Sequence, residues 1–288
     1  MPSSIRLQLA VQKSGRLLDD SLRLLKECGI KINNGRDQLK AAAANFPLDV
    51  LYLRNGDIPQ YLQDGVAHIG IVGENTIIEK EKRVEVIHSL GFSKCRLSLA
   101  VPRGAAYDGP QSLQGKRIAT SYPNSLRAYL KDIGVEADIH EISGSVEIAP
   151  NIGLADAICD LVSTGSTLFK NGLEEKDIML KSQAVLAAHP NLNAEQRALL
   201  DKLLFRIKSV LTARGNRYLL MNVPNDRIDA IIEILPGMKA PTVMQLATSG
   251  WSSIHTVIND DQFWDIIDRL REQGAEGILI IPIEKMII

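Results

Sequence analysis

The stretch EIAPNIGLADAICDLVSTGSTL, residues 147–168, contains the most informative pattern in the chain. Its apolar residues from Ala157 to Val162 predict a buried β-strand, and four hydroxyl residues around Gly165 follow this strand directly. A helical turn is expected next, over 168–171. A strand that leads through a glycine-containing loop into a helix is the basic unit of α/β proteins, so this stretch predicts an α/β fold.

The same strand–loop–helix unit recurs along most of the chain. Before residue 90 it predicts an open, largely parallel sheet, because parallel strands are joined through crossover helices. The pattern restarts at Cys95 and predicts a second α/β lobe. The predicted strands are 5–11, 50–53, 67–72, 97–101, 117–119, 137–142 and 157–162, and the predicted helices are 17–25, 58–62, one from 74, 125–133 and 193–213.

The order of elements changes after Gly215, which predicts a separate C-terminal domain. Four strands and two helices alternate there as βαββαβ, the order of the ferredoxin-like split βαβ unit. The predicted strands are 218–223, 243–247, 253–258 and 277–283, and the predicted helices are 226–235 and 261–273.

Composition excludes several classes of protein. With 288 residues, 45% of them hydrophobic and 23% charged, the chain is expected to fold into two or three globular domains. The net charge of -1 gives no general reason for binding to nucleic acid or membrane. Cys28, Cys95 and Cys159 lack disulfide or zinc-site spacing. No signal peptide or membrane span is apparent, and we therefore expect a cytoplasmic protein.

The hydroxyl-rich loop at 163–167 is a candidate phosphate site. Backbone N–H groups and hydroxyls of such a loop can surround one anion, and the helix dipole assists. Three acids accompany the loop: Glu147, Asp156 and Asp160. Beside a phosphate, carboxylates fit best as acceptors for sugar hydroxyls or as Mg²⁺ ligands, which favours a phosphorylated ribose. The alternative is an ordinary capping turn with solvated acids.

A second candidate anion site lies in the first predicted turn. Lys13 and Arg16 flank Ser14-Gly15 between a strand and a helix, and Arg54 follows the strand 50–53. Ligands commonly bind at the carboxyl ends of parallel strands, so these cations suit a polyphosphate. Ordinary surface cations remain the alternative. GxxxxGK[ST], GxGxxG, HExxH and GxSxG do not occur, which argues against the usual kinases, dehydrogenases, zinc proteases and serine hydrolases.

Taken together, these motifs make the chain resemble ATP phosphoribosyltransferase of histidine biosynthesis, in its long form. The resemblance covers essentially the whole chain, and the segment 147–168 carries most of it. Supporting motifs are QKSGRL at 12–17, GIVGEN at 70–75, RIATSYPN at 117–124, PG at 236–237 and APT at 240–242.

This resemblance implies transfer of the 5-phosphoribosyl group of phosphoribosyl pyrophosphate to N1 of ATP, with release of pyrophosphate and a requirement for Mg²⁺. It implies a two-lobed, periplasmic-binding-protein-like catalytic core and a ferredoxin-like domain through which histidine inhibits. Homodimers that assemble into homohexamers are expected. The implied domain limits are 1–96 for lobe I, completed by about 183–213, then 97–182 for lobe II and 214–288 for the regulatory domain.

The resemblance also implies roles for individual residues. The catalytic residues are expected to be Lys13, Arg16, Glu147 and Asp160. Those expected to bind phosphoribosyl pyrophosphate are Glu147, Asp156, Asp160, Ser163, Thr164, Gly165, Ser166 and Thr167, with Asp156 and Asp160 as candidate metal ligands. Those expected to bind ATP are Lys13, Arg16, Arg54, Asn75 and Tyr122. Those expected to bind histidine are Asn222, Met238, Pro241, Thr242 and Gly277.

One position departs from the family pattern. The family often has Asp where this chain has His68, so an acid that contributes to the metal or cation balance is expected to be missing, unless that Asp is mainly structural. Two rival functions stay open on the sequence: a non-catalytic phosphosugar or amino-acid sensor on the same core, and transfer of phosphoribose to another base.

Overall fold

The computed structural model describes residues 5–33, 39–235, 237 and 240–288. The chain divides into two compact units. Unit 1 comprises Met1–Lys26 and Ile30–Leu200, and unit 2 comprises Glu27–Gly29 and Asp201–Ile288.

The strands and helices follow the predicted order closely. The strands are β1 (Leu7–Gln12), β2 (Lys40–Ala42), β3 (Leu48–Leu53), β4 (Ile69–Gly73), β5 (Glu85–Ser89), β6 (Cys95–Pro102), β7 (Arg117–Thr120), β8 (Asp138–Glu141), β9 (Ala157–Val162), β10 (Leu173–Ser182), β11 (Ala184–Ala188), β12 (Asn216–Pro224), β13 (Thr242–Gln245), β14 (Trp251–Asn259) and β15 (Glu276–Pro282). The α-helices are α1 (Arg16–Glu27), α2 (Ile58–Gln63), α3 (Glu74–Lys80), α4 (Pro123–Asp132), α5 (Ser166–Lys170), α6 (Ala194–Arg214), α7 (Ile228–Ile234) and α8 (Asp260–Glu272).

The first lobe of unit 1 is built on a six-stranded sheet with the order β2-β3-β1-β4-β11-β5. Strand β1 is parallel to β3 and β4, and its apolar residues are buried because both faces of the sheet are covered. The prediction of a largely parallel sheet is wrong, since β2, β11 and β5 pair antiparallel with their neighbours. Strand β11 reaches this sheet from the second lobe, in a direction that local patterning does not reveal.

The second lobe is built on a five-stranded sheet with the order β10-β6-β9-β7-β8. Strand β7 is parallel to β8 and β9, whereas β6 is antiparallel to β9 and β10. The predicted strand at Ala157–Val162 is confirmed at both ends.

The chain passes between the two sheets twice, once from β5 to β6 and once from β10 to β11. The two crossovers are hydrogen-bonded: Leu90 N–H donates to Ala184 O at 2.9 Å, and Ala184 N–H donates to Phe92 O at 3.0 Å. Two α/β lobes joined in this way form the expected two-lobed, periplasmic-binding-protein-like core. The exact domain limits given above stay a prediction.

Unit 2 contains an antiparallel four-stranded sheet with the order β13-β14-β12-β15. Its core is formed by Met221 and Ile254 from the sheet and by Ile231, Phe263 and Leu270 from α7 and α8. The helix α8 starts where the Asn259 side chain accepts a hydrogen bond from Asp261 N–H at 3.0 Å. The expected ferredoxin-like βαββαβ domain is therefore present.

Among the described residues, no helix is both long enough and apolar enough to cross a membrane.

A buried carboxylate joins three strands of the first sheet. Asp49 of β3 accepts hydrogen bonds from Arg6 Nε at 2.7 Å and from Gln8 Nε2 at 3.1 Å, and Lys40 Nζ lies 3.0 Å from it. Burial opposes the ionisation of Asp49, but the hydrogen bonds from these three side chains lower its pKa to about 2. The charge of Asp49 therefore stabilises the pairing of β1, β2 and β3.

We expect Asp49→Asn to lower the free energy of unfolding at pH 7 by about 2 kcal/mol, because it removes charge-assisted hydrogen bonds at a buried site. The pKa of Asp49 in the folded protein lies below its ordinary value of 3.8. Its contribution is thus complete above about pH 4 and is lost as the pH falls towards 2. Urea unfolding between pH 7 and pH 3 should show a flatter pH dependence in the variant. Asp108→Asn, at an exposed position, is the control.

Candidate functional site

The hydroxyl-rich loop connects β9 to α5 and is open to solvent. Gly165 has a positive φ of 78°, which allows the sharp turn that glycine adopts without strain. Helix α5 begins directly after it at Ser166, earlier than predicted. Thr164 Oγ1 and Ser166 Oγ lie 3.1 Å apart, so their hydroxyls converge. Ser163, Thr164, Ser166 and Thr167 are all exposed, as a binding loop requires.

Arg96, which is not among the predicted site residues, holds the start of this loop. Its Nη1 donates to Ser163 O at 3.1 Å, while Nε and Nη2 each bind a carboxylate oxygen of Glu175 at 2.5 Å. Ser98 Oγ donates to the same carboxylate at 2.7 Å. The guanidinium holds the pKa of Glu175 below its usual range. Arg96 stands at the beginning of a predicted strand, where no local pattern distinguishes it from a surface cation.

Two of the predicted acids lie together beside the loop. Asp160 is in β9, and Glu147 is in the short 3₁₀ turn Val146–Ile148. Burial, helped by the charge of Glu147, raises the pKa of Asp160 to about 6, although a hydrogen bond from Leu161 N–H at 2.8 Å opposes this. Burial and the charge of Asp160 also raise the pKa of Tyr122. Glu147 and Tyr122 therefore both lie within electrostatic range of the position of Asp160, and Tyr122 packs against the core cluster that contains Cys159, the neighbour of Asp160 in β9.

The structure does not bring Asp156 to this position. Asp156 lies just before β9, at the opposite end of the strand from the loop. Its carboxylate accepts hydrogen bonds from Arg117 N–H and Arg117 Nη2, both at 2.9 Å. The Arg117 side chain and backbone lower the pKa of Asp156 to about 2. A metal held jointly by Asp156 and Asp160, as expected from the resemblance, has no geometric support here.

The predicted cations lie together at the edge of the first sheet. Strands β1 and β3 are parallel with Gln12 opposite Leu53, so Lys13 and Arg54 follow adjacent strand ends. Lys13 N–H donates to Leu53 O at 2.8 Å. Arg16 begins α1 in the same turn, and all three cations are exposed. This edge can therefore attract an anionic group.

Asn75 lies near the same edge, after β4, but its side chain is buried and only 4% exposed. Ser182 Oγ donates to Asn75 Oδ1 at 2.9 Å and accepts from Asn75 N–H at 3.0 Å. Asn75 thus ties the first lobe to a crossover. Its predicted contact with a nucleotide stays a prediction.

A cavity of about 430 Å³ lies between the lobes at the crossovers. Glu74 from the first lobe and Arg96, Ser163 and Lys181 from the second line it, with Lys94 from a crossover. Because Ser163 also begins the hydroxyl-rich loop, the cavity adjoins the candidate phosphate site. No group of three or more His, Cys, Asp or Glu side chains suited to a metal occurs among the described residues.

The residues expected to bind an effector are divided between two edges of the unit 2 sheet. Asn222 of β12 adjoins Gly277 of β15. If Gly277 carried a Cβ atom, that atom would lie 3.2 Å from Asn222 Nδ2. Thr242 belongs to β13 at the other edge, and Pro241 precedes it. Met238 lies outside the described residues. One chain alone does not bring the two groups together.

His68, the departure from the family pattern, precedes β4, at the opposite end of the strand from Gly73 and Asn75. His68 Nδ1 accepts a hydrogen bond from Gln8 N–H at 3.0 Å, and His68 N–H donates to Gln8 O at 2.9 Å. Gln196 Nε2 lies 2.9 Å from His68 Nε2. In this chain, His68 contributes hydrogen bonds at the start of β4, at the end of the strand away from the candidate site.

Comparisons with known proteins agree with the resemblance. A family model described as ATP phosphoribosyltransferase matches residues 54–209, and one described as HisG, C-terminal domain, matches residues 213–285. The ATP phosphoribosyltransferase of Cytophaga hutchinsonii is 56% identical over 281 residues, covering 98% of each chain. That of Parabacteroides distasonis is 54% identical over 282 residues, covering 98% of this chain and all of its own.

A solved structure is also similar to this chain. In the ATP phosphoribosyl transferase (HisG:HisZ) complex from Thermotoga maritima, one chain matches with a TM-score of 0.60 and 30% identity. The match covers 70% of this chain and 98% of that chain.

Protonation of His68 should destabilise the fold. Burial and the nearby His189 lower the pKa of His68 below 6.5, and protonation of Nδ1 would break its hydrogen bond with Gln8. The unfolded chain therefore binds more protons near pH 6, so stability falls as the pH drops below about 6.5. In His68→Asn, the amide oxygen can still accept from Gln8 but does not titrate. We expect the thermal midpoint to fall less between pH 7.5 and pH 5.5 in this variant.

His140→Asn is the control, because it removes a histidine that pairs with Asp138 elsewhere in the fold. An equal fall of the midpoint in wild type and His68→Asn would contradict the assignment to His68.

Proposed function

The chain belongs to the ATP phosphoribosyltransferase family of histidine biosynthesis, and from this premise we propose that it transfers the 5-phosphoribosyl group of phosphoribosyl pyrophosphate to N1 of ATP. The proposal rests on the proximity of Asp160 to Glu147 and on the position of Asp160 in the strand that leads into the open hydroxyl-rich loop. A phosphorylated ribose needs this combination, because its phosphate seeks N–H and O–H donors while its hydroxyls seek acceptors.

In the proposed mechanism, the loop 163–167 binds the 5-phosphate through its hydroxyls and backbone N–H groups. Glu147 and Asp160 accept hydrogen bonds from the ribose hydroxyls and orient the sugar. Departure of pyrophosphate leaves positive charge on the sugar, and the two carboxylates stabilise this charge in a partly buried site. Adenine N1 attacks C1 of the ribose with its own lone pair, so no general base is required.

The cations of the first lobe complete the proposed site. Lys13, Arg16 and Arg54 bind the phosphates of ATP or the departing pyrophosphate, and so neutralise a leaving group that carries several negative charges. The two substrates are polyanions that repel each other, so much of the catalytic effect comes from holding them in reacting geometry. Tyr122 lies beside Asp160 on the second lobe and is proposed to contact the nucleotide.

Mg²⁺ is the proposed cofactor, and the residues present offer it two carboxylates rather than a full set of ligands. Mg²⁺ is commonly held by substrate phosphates, water and one or two carboxylates rather than by a full set of protein ligands. The Asp160–Glu147 pair beside the loop offers such carboxylates, and the burial that raises the pKa of Asp160 supports the proposal, because a nearby cation would compensate the buried charge. Bound to pyrophosphate, the ion would supply additional charge neutralisation.

Histidine is the proposed inhibitor, and unit 2 is its proposed site. Thr242 lies on β13 and Gly277 on β15, at opposite edges of the sheet. A single histidine that contacts both groups of residues therefore requires two copies of the chain. This agrees with the proposed assembly of homodimers into homohexamers. We also propose a cytoplasmic location, since Cys28, Cys95 and Cys159 are all free.

The direct test is pyrophosphate release by the purified protein given ATP, phosphoribosyl pyrophosphate and Mg²⁺. We expect release only when all three are present, and suppression by histidine. Each component is omitted in turn, and guanosine triphosphate replaces ATP to test the choice of base. No release by folded protein, beside an active control enzyme, would reject the transferase proposal for this chain.

Asp160→Asn and Thr164→Val should each raise the KM for phosphoribosyl pyrophosphate by about tenfold or more, because each removes a hydrogen bond to a charged or strongly polar group of the substrate. The KM for ATP should change less. Asp156→Asn, directly before the same strand, is the matched comparison. It breaks the pair with Arg117, and we expect it to lower the thermal midpoint more than it alters the KM.

The pKa of Asp160 predicts a pH dependence. Because the pKa is raised to about 6, Asp160 becomes protonated as the pH falls through 6 and loses its negative charge. We expect kcat/KM for phosphoribosyl pyrophosphate to fall over this range in wild type and to fall less in Asp160→Asn. Since the substrate titrates equally in both assays, identical profiles would show that Asp160 does not contribute.

A further inference from the structure

Helix α4 of the second lobe begins without a cap of its own. Tyr122 occupies the N-cap position, its side chain makes no capping hydrogen bond, and Pro123 follows as the first helical residue. The first turn of a helix leaves backbone N–H groups without partners inside the helix, and Ser, Thr, Asp or Asn normally provides one. The N–H groups of Asn124 and Ser125 therefore need an acceptor from elsewhere.

Glu79 of the first lobe provides this acceptor. Its Oε1 accepts from Asn124 N–H at 3.1 Å, and its Oε2 accepts from Ser125 N–H at 2.9 Å. Ser125 Oγ donates to Oε2 at 2.7 Å, and Asn124 Nδ2 donates to the backbone oxygen of Glu79 at 2.9 Å. Four hydrogen bonds thus connect one residue of α3 to the first turn of α4.

Glu79 is buried, with 5% of its surface exposed. Asp49, the other charged side chain buried among the described residues, is paired with cations, whereas the carboxylate of Glu79 accepts from neutral groups of α4. The positive end of the α4 dipole favours a carboxylate at this point. The charge of Glu79 is therefore stabilised only while the two lobes remain in contact here.

Both helices of this contact, α3 and α4, are connected to the residues of the proposed site. On the first lobe, Asn75 binds Ser182 of the crossover and Thr76 Oγ1 accepts from Asn55 Nδ2 at 2.9 Å, so α3 is fixed near the cation edge. On the second lobe, α4 follows Tyr122, which packs against the core cluster that contains Cys159, the neighbour of Asp160 in β9. Moving α4 would move Tyr122 with it.

We propose that Glu79 is a positioning residue of the phosphoribosyl transfer: from the first lobe it caps α4 of the second, and so sets the separation of the two substrate-binding edges. The proposal rests on the proposed function. Glu79 acts through α4 and Tyr122 and does not touch the reacting atoms. Separation of the two lobes at this contact would leave the Glu79 carboxylate and the first turn of α4 without their hydrogen-bond partners, so the contact favours the arrangement of the lobes seen in the structure.

The test begins with Glu79→Gln. The amide oxygen can accept from one backbone N–H, but the amide nitrogen then faces the second N–H as another donor. We expect kcat/KM for both substrates to fall by about tenfold, the effect of losing one charge-assisted hydrogen bond. Hydrogen exchange at Asn124 and Ser125 should become faster. Glu81→Gln removes a charge from an exposed position just after α3 and is expected to change neither quantity.

A second variant separates positioning from a merely structural role. Glu79→Gln combined with Ser125→Asp places a carboxylate within the first turn of α4, where it interacts favourably with the helix dipole but does not replace the hydrogen bonds that Glu79 accepts from Asn124 N–H and Ser125 N–H. We expect this double variant to regain thermal stability but to keep the low kcat/KM, because the connection between the lobes is still absent. The double variant also serves as the test if Glu79→Gln alone does not fold.

Two results would overturn the proposal: wild-type kinetics in Glu79→Gln, or recovery of wild-type kinetics together with stability in the double variant. Failure of the proposed function looks different. In that case wild-type protein releases no pyrophosphate from ATP and phosphoribosyl pyrophosphate, while loss of exchange protection confined to Glu79→Gln still shows that the cap exists.

Discussion

The pair of hydrogen-bonded crossovers in unit 1 is the constraint on which the candidate site depends. Because Ala184 bonds to both Leu90 and Phe92, the chain leaves and re-enters the first sheet at one place. The cavity at these crossovers is lined by Glu74, which follows β4, and by Ser163, which follows β9. A ligand in this cavity can therefore contact both lobes.

Charge is distributed unequally between these two edges. The first lobe presents exposed cations, which water solvates well, whereas the second presents Asp160, whose ionisation is opposed by burial. In the proposed transfer, a cationic sugar beside Asp160 would relieve the cost of burying its charge, so Asp160 is matched to a state in which positive charge develops. Asp156 shows the opposite case, since Arg117 already compensates its charge and it has little to gain from a ligand.

Local patterns were sufficient to predict the ferredoxin-like domain, the hydroxyl-rich loop and strand β9, because each depends on residues close in sequence. The direction of β11 was not predictable in this way, since it pairs with β4 and β5 across a whole intervening lobe. The separation of Asp156 from the loop follows from strand geometry, at about 3.3 Å per residue, and should have been anticipated. Glu79 gives no local signal at all, because its partners lie 45 and 46 residues further along the chain.

Strand β11 lies between β4 and β5 in the first sheet, and this affects the order in which a nascent chain can fold. When β5 leaves the ribosome, its neighbour in the sheet, β11, has not yet been synthesised. The second lobe, by contrast, draws all its strands from one continuous segment between Cys95 and Ser182. During vectorial synthesis the later-made lobe can therefore complete its sheet first, and the N-terminal lobe is completed when Ala184–Ala188 emerges.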